Sequence, residues 1–155
     1  MEAILLARLD EEGEQFTGED PAEVLELEPD EAVVSVGPLE YDLTVRQVIG
    51  DELLVQGRVG CEVAFRCSRC AQEFSRRVGE THYMRSYELR DETESVDLTP
   101  DMREATLLAF PAYPVCTSAC VGLCPTCGKD LNAGPCECKP AEESRWGGLD
   151  ALKLD

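Results

Sequence analysis

Eight of the nine cysteines fall into four close pairs, Cys67/Cys70, Cys116/Cys120, Cys124/Cys127 and Cys136/Cys138, and Cys61 is left over. No other feature constrains the fold as strongly. A short loop between two cysteines lets both thiolates reach one zinc ion about 2.3 Å away, and four ligands close a tetrahedral site. An odd number also means that the cysteines cannot all pair with one another. No run approaches the roughly 18 apolar residues that span a bilayer, and the first residues, Met1 to Leu9, are interrupted by Glu2 and Arg8. The expectation is a cytoplasmic chain without a signal peptide or membrane association. In such a reducing compartment close cysteine pairs are metal ligands rather than disulfides.

Cys124-Pro125-Thr126-Cys127-Gly128 reads as a metal knuckle, its glycine allowing a turn that points backbone N–H groups at sulfur, and Cys136/Cys138 is its natural closing pair. The second set then joins Cys67 and Cys70 to Cys116 and Cys120, tying a Cys-rich tail to the rest of the chain. A swapped arrangement, Cys116 and Cys120 with Cys124 and Cys127, remains open, as do a single zinc ion and free redox thiols. Four thiolates leave no open coordination position, so one or two structural Zn2+ ions are expected and no catalytic one. Cys61 reads as a small buried hydrophobe.

From Leu53 to Cys67 the odd positions are Leu53, Val55, Gly57, Val59, Cys61, Val63, Phe65 and Cys67, and the even ones are mostly polar. That alternation predicts a long half-buried strand, bent at Gly57 or Gly60. Phe74 to Leu89 reads as its antiparallel return, with the first Cys pair at the turn, and Ile4 to Leu9, Ala32 to Val36 and Tyr41 to Val48 as shorter strands. Thr99-Pro100 predicts a helix start, with Thr99 as N-cap and Met102, Ala105, Leu108 and Ala109 on one face until Pro111. After Cys116 apolar periodicity fades, and a segment of that kind needs a staple. Trp146, Leu149 and Leu152 can form one face of a last helical turn. The fold class is therefore α+β, mainly antiparallel sheet with one or two short helices and a zinc-ribbon-like C-terminal segment. The division is residues 1–115, with a helix at about 99–110, and residues 116–155.

Charge is distributed unevenly. The chain carries 32 acidic and 14 basic side chains, net −18, of which residues 1–60 account for −13, whereas residues 61–90 sum to +2. A polyphosphate is repelled by the overall field, so contact with nucleic acid has to be local, while a basic protein is attracted. The acidic first third otherwise reads as a solvated face.

No catalytic constellation is visible, and the chain is not expected to be an enzyme. His82 is the only histidine, Gly128-Lys129 lacks the earlier glycine and the following Ser or Thr of a phosphate loop, and the carboxylates lie in polar runs such as Asp10, Glu11 and Glu12. Cys67-Ser68-Arg69-Cys70 also lacks the strand-to-helix setting of a thioredoxin-like site.

The order of motifs resembles a known family. A long alternating strand runs into Cys67-Ser68-Arg69-Cys70 and Phe74. Asp97-Leu98 precedes a helix holding Arg103-Glu104 and Leu107-Leu108-Ala109-Phe110-Pro111, and the block Gly122-Leu123-Cys124-Pro125-Thr126-Cys127-Gly128-Lys129-Asp130-Leu131-Asn132 follows. From about residue 40 to 152 this is similar to the bacterial and chloroplast YceD family, large ribosomal RNA subunit accumulation proteins, and the tail around Arg145-Trp146 resembles the family's ending. The resemblance implies a metal-binding, non-enzymatic factor in the accumulation, processing or assembly of large-subunit (23S) ribosomal RNA. Arg66, Arg69, Arg76 and Arg77 around the first knuckle, with Phe74 and Tyr83 for stacking, are the candidates for contact with rRNA or pre-ribosomal particles. Pairing of these arginines with nearby acids is the plainer reading. Two alternatives stand beside this one: an acidic adaptor or chaperone for a small basic ribosomal protein, and a zinc-ribbon transcription cofactor.

Overall fold

The computed structural model describes residues 4–5, 13–28, 30–48, 51–90 and 93–139. Seven strands and one helix follow in chain order: β1 (Ile4–Leu5), β2 (Glu14–Asp20), β3 (Val33–Val36), β4 (Leu39–Val48), β5 (Glu52–Arg66), β6 (Glu73–Glu88), β7 (Ser95–Val96) and α1 (Thr99–Leu108). Short 3-10 turns lie at Ala22–Leu25 and Leu131–Ala133. The main sheet is antiparallel, ordered β2-β4-β5-β3 with β6 also on β5, and β1 pairs with β7.

β5 is the spine. Its first half lies between β4 and β6, and its end lies between β3 and β6. The predicted alternation is borne out, since Leu53, Val55, Val59, Cys61, Val63 and Phe65 are all buried. β6 supplies Val78, opposite Cys61, and Tyr83, opposite Gly57. Gly60 and Gly79 face each other where the two strands approach closely. A Cβ on Gly79, at φ +153°, would collide with the Val59 carbonyl oxygen and the Gly60 Cα. A side chain there would force the strands apart.

α1 packs on β5, β6 and the Ala22–Leu25 turn and closes the core with Met102 and Ala105 beside Leu25 and Leu98. Two details of the predicted helix are corrected. Buried Leu98 holds the N-cap position, while the carboxylate of Asp97 accepts the Thr99 N–H at 2.9 Å, so Thr99 begins the helix instead of capping it. The inward face is Met102, Ala105 and Thr106, whereas Leu108 is 76% exposed and Ala109 is exposed. The chain tightens before Pro111, with Ala109 N–H donating to Thr106 O and Phe110 N–H to Leu107 O, and this rotates the last residues off the buried face. Thr106 enters the core because its hydroxyl donates to Met102 O at 2.8 Å.

β2 has no counterpart in the predicted strands. Four of its seven residues are Glu, Gln or Asp, and it adds to the edge of β4 with Phe16 packed on the core. Of the strand predicted for Ile4 to Leu9 the described part is β1; residues 6–9, and the tail with Trp146, Leu149 and Leu152, lie outside the described residues. No helix among the described residues is long and apolar enough to cross a membrane.

Candidate metal centre

The β5–β6 hairpin places Cys67 and Cys70 at its tip. Cys67 N–H donates to Gln72 O, and Ala71, at φ +59°, turns the chain back with its N–H on Cys67 O. The segment after α1 returns to this tip: Ser68 N–H donates to Pro114 O (2.8 Å), the Arg69 guanidinium to Cys120 O (2.9 Å) and that of Arg76 to Val115 O (3.1 Å). Cys116 and Cys120 are thereby carried to Cys67 and Cys70, and in each of two groups the four ligand atoms lie within 4.8 Å of one another: Cys67, Cys70, Cys116 and Cys120, and Cys124, Cys127, Cys136 and Cys138. These are the predicted sets, and the swapped arrangement is not the one formed.

The sulfur separations identify what the groups fit. Cys67 Sγ lies 3.9 Å from Cys120 Sγ, and Cys70 Sγ lies 3.8 Å from Cys116 Sγ. A disulfide needs about 2.05 Å, whereas four sulfurs at about 2.3 Å from one ion have a tetrahedral edge of about 3.8 Å. N–H groups also point at sulfur: Cys67 Sγ accepts from the backbone N–H of Arg69 (3.5 Å) and of Cys116 (3.4 Å), and Cys120 Sγ accepts from the side-chain Nδ2 of Asn132 (3.5 Å). Such bonds orient and stabilise thiolates.

Thiol acidities follow from this packing. Burial pushes the Cys67 thiol up, but the N–H bonds from Cys116, Cys70 and Arg69 outweigh it and bring it down to about 6. N–H groups of Cys127 and Thr126 bring Cys124 to about 6. Cys70 accepts a bond from Gln72 N–H that works the other way, yet burial and its three sulfur neighbours push it to about 12. Cys138 is driven to about 12 by Cys127, burial and Cys124. Each group thus sets a thiol lowered by N–H bonds beside one raised by its sulfur neighbours, and a bound cation would favour the thiolate of both. Cys61 stands apart, fully buried and pushed to about 11 by desolvation.

The two groups differ in support. The first has Cys67, Cys70 and Cys120 buried against Phe74 and Val115. The second has only Cys124 buried and Cys127 exposed, and is held by its own turn: Cys124 N–H to Lys129 O, Gly128 N–H to Cys124 O, and the Lys129 ammonium to Pro135 O (2.7 Å). A β-bridge between Leu123 and Asp130 and the bond from Leu131 N–H to Gly122 O close that turn, and the bond from Leu123 N–H to Arg69 O (3.0 Å) joins it to the first group. Gly122 sits at φ +85° with Arg69 O 2.9 Å from where a Cβ would stand, so glycine is required there.

The predicted nucleic-acid residues divide. Arg66 pairs with Glu73 (3.2 Å) and Arg77 with Glu40 (2.5 Å), the plainer reading for both. Arg69 and Arg76 form no ion pair among the described residues; both hold loop carbonyls, and Arg76 lies over the Phe74 ring. Phe74 is half-buried against Phe65. Tyr83 is buried and cannot stack on a base, which corrects the expectation, because it faces the core opposite Gly57. An aromatic ring that sequence reasoning passed over does face solvent: Tyr113, 82% exposed, next to the Pro114 whose carbonyl receives Ser68 N–H. Its position between Pro111 and Pro114, which exclude helix and strand, was the available signal. Exposed Val121 and Leu123 flank the same loops.

The family model described as Large ribosomal RNA subunit accumulation protein YceD matches residues 85–153. Uncharacterized proteins of Mycobacterium tuberculosis and Mycobacterium bovis are each 30% identical over 125 residues, 72% of this chain and 60% of theirs. The chain thus spans about three-fifths of the length of these relatives. The Large ribosomal RNA subunit accumulation protein YCED homolog 1, chloroplastic, of Arabidopsis thaliana is 32% identical over 63 residues, 40% of this chain and 20% of that protein. No solved structure matches.

Proposed function

Because the chain belongs to the YceD family, we propose that it is a non-enzymatic cytoplasmic factor in the accumulation of large-subunit (23S) ribosomal RNA, and that it contacts rRNA or a pre-ribosomal particle through the loops around its first cysteine group. The observation that carries this reading is the state of Arg69 and Arg76. Both are fixed by carbonyls of the metal loops and both lack a carboxylate partner among the described residues, so positive charge is held in place on a molecule of net charge −18. Exposed Tyr113 precedes Pro114 and Val115, whose carbonyls accept the Ser68 N–H and the Arg76 guanidinium, and offers a stacking face. Cys67, Cys70, Cys116 and Cys120, and Cys124, Cys127, Cys136 and Cys138, would hold zinc as a structural cross-link. The chain's own residues then present the surface, with Asn132 bracing Cys120 and the Val121 N–H.

The test is co-sedimentation with large-subunit precursors and ultraviolet cross-linking to rRNA, for the parent chain and for Arg69→Ala/Arg76→Ala with and without Tyr113→Ala, each checked for an unchanged thermal transition. Loss of cross-linking in a folded variant supports the reading. Unchanged cross-linking refutes it.

A further inference from the structure

A second surface lies along β3, beside the end of β5, where Val33 pairs with Phe65 and Ala32 O accepts the Arg66 N–H. Between β3 and the Ala22–Leu25 turn runs a cleft of about 420 Å³, with Val33, Val34 and Val36 on one wall and Leu27 on the other. Glu23, Glu26 and Glu28 stand along its rim. Val34 is 43% exposed, and β3 is paired on one side only, by β5, among the described residues. An edge strand beside an open apolar cleft offers backbone groups and side-chain pockets together, the combination that extended peptides use.

Charge selects the occupant. From residue 9 to residue 45 the chain contains 13 acidic and no basic side chains. Among the described residues, Arg103 of α1 reaches the rim, where it is engaged by Glu26 (3.0 Å) and Leu25 O, which leaves Glu23 and Glu28 to face an incoming ligand. A phosphate chain is repelled here, and so is a second copy of the same acidic surface. We propose that this cleft docks an extended, lysine- or arginine-rich segment of a protein partner, with apolar side chains over Val34 and Leu27 and alternating cations toward Glu23 and Glu28. β3 has four residues, about 13 Å of strand, so four or five residues of the partner are engaged. This surface shares no residue with the proposed rRNA contact and would let the chain hold a basic protein and rRNA together.

Fluorescence anisotropy with a labelled nine-residue peptide alternating lysine and valine tests it, against a matched peptide alternating glutamate and valine, in 100 mM salt. The basic peptide is expected to bind and the acidic one not. Val34→Lys and Glu28→Lys are each expected to weaken binding tenfold or more. Glu14→Lys, which changes charge as much as Glu28→Lys but on β2 at the opposite edge of the sheet, is expected to weaken it less than threefold. Equal losses in all three variants, no preference for the basic peptide, or displacement of the peptide by a ten-nucleotide single-stranded RNA would overturn the proposal. Arg69→Ala/Arg76→Ala is expected to leave peptide binding unchanged, so a failure at the metal loops is read separately from a failure here.

Discussion

Replacing a buried cysteine has two quite different expected costs in this chain, depending on whether the cysteine is a ligand. Cys120 is buried in the first group, and Cys61 is buried in the sheet, outside both four-sulfur groups. Cys61→Ser puts a hydroxyl without a partner where a thiol was, a cost of about 1–3 kcal/mol. Cys120→Ser instead opens a cross-link between the hairpin tip and the loop after α1. The 45 residues between Cys70 and Cys116 give a closure term of about 4 kcal/mol when a cross-link of that span is lost, before the loss of ion binding is added. For a chain of this size each kcal/mol moves Tm by about 2–4 °C. Cys61→Ser is therefore expected to lower Tm by roughly 2–12 °C with the metal content unchanged, whereas Cys120→Ser lowers it by at least about 8 °C and removes one equivalent. Metal per chain by plasma emission, with thermal unfolding on the same samples, reads both. If Cys120→Ser keeps its full metal complement, or if Cys61→Ser loses an equivalent, the division into four-sulfur groups and one inert thiol is refuted.

The strand crossing predicts that Gly79→Ala, which drives a Cβ into the Val59 carbonyl, costs on the order of 3 kcal/mol, a Tm drop of roughly 6–12 °C; a drop under 2 °C contradicts the close approach. Asp97 lies below its ordinary value because of its bonds to Thr99. Its contribution is therefore complete at neutral pH and disappears as pH falls through that lowered value. Asp97→Ala is expected to lose about 0.5–1 kcal/mol at pH 7, the parent and variant converging in strong acid; denaturant titration along a pH series checks this, and a constant difference contradicts it. Chelation under reducing conditions is expected to strip the second group first, because Cys127 is exposed and no apolar cluster surrounds that group among the described residues. Exchange of amide hydrogens at residues 124–138 ahead of those at 67–72 reports that order, and the reverse order rules it out.

Where side chains alternate or cysteines cluster, the sequence was sufficient. The β5 pattern from Leu53 to Phe65 is so regular that its buried face follows from parity alone. The four Cys pairs leave few ways to assemble two four-sulfur sets, and the hairpin turn selects the one found. β2 escaped because an edge strand with one apolar contact, Phe16, has almost no hydrophobic signal; its pairing with β4 is a backbone event. The last turn of α1 was misread because helical spacing was carried through residues where the backbone had already tightened, which put Leu108 outward and left Thr106 in the core. At the site, spacing named the ligands. It could not show that Arg66 and Arg77 meet Glu73 and Glu40, or that Tyr83 turns inward while Tyr113 turns out, since those outcomes depend on register and on the loop after α1.

The central claim is that two closed four-sulfur groups organise the loops of this chain, and X-ray absorption at the zinc edge of protein purified under reducing conditions tests it most directly. The account predicts about two zinc ions per chain with an average first shell of four sulfurs at about 2.3 Å. A shell containing nitrogen or oxygen, or a metal-free chain that remains folded with its thiols reduced, would contradict it.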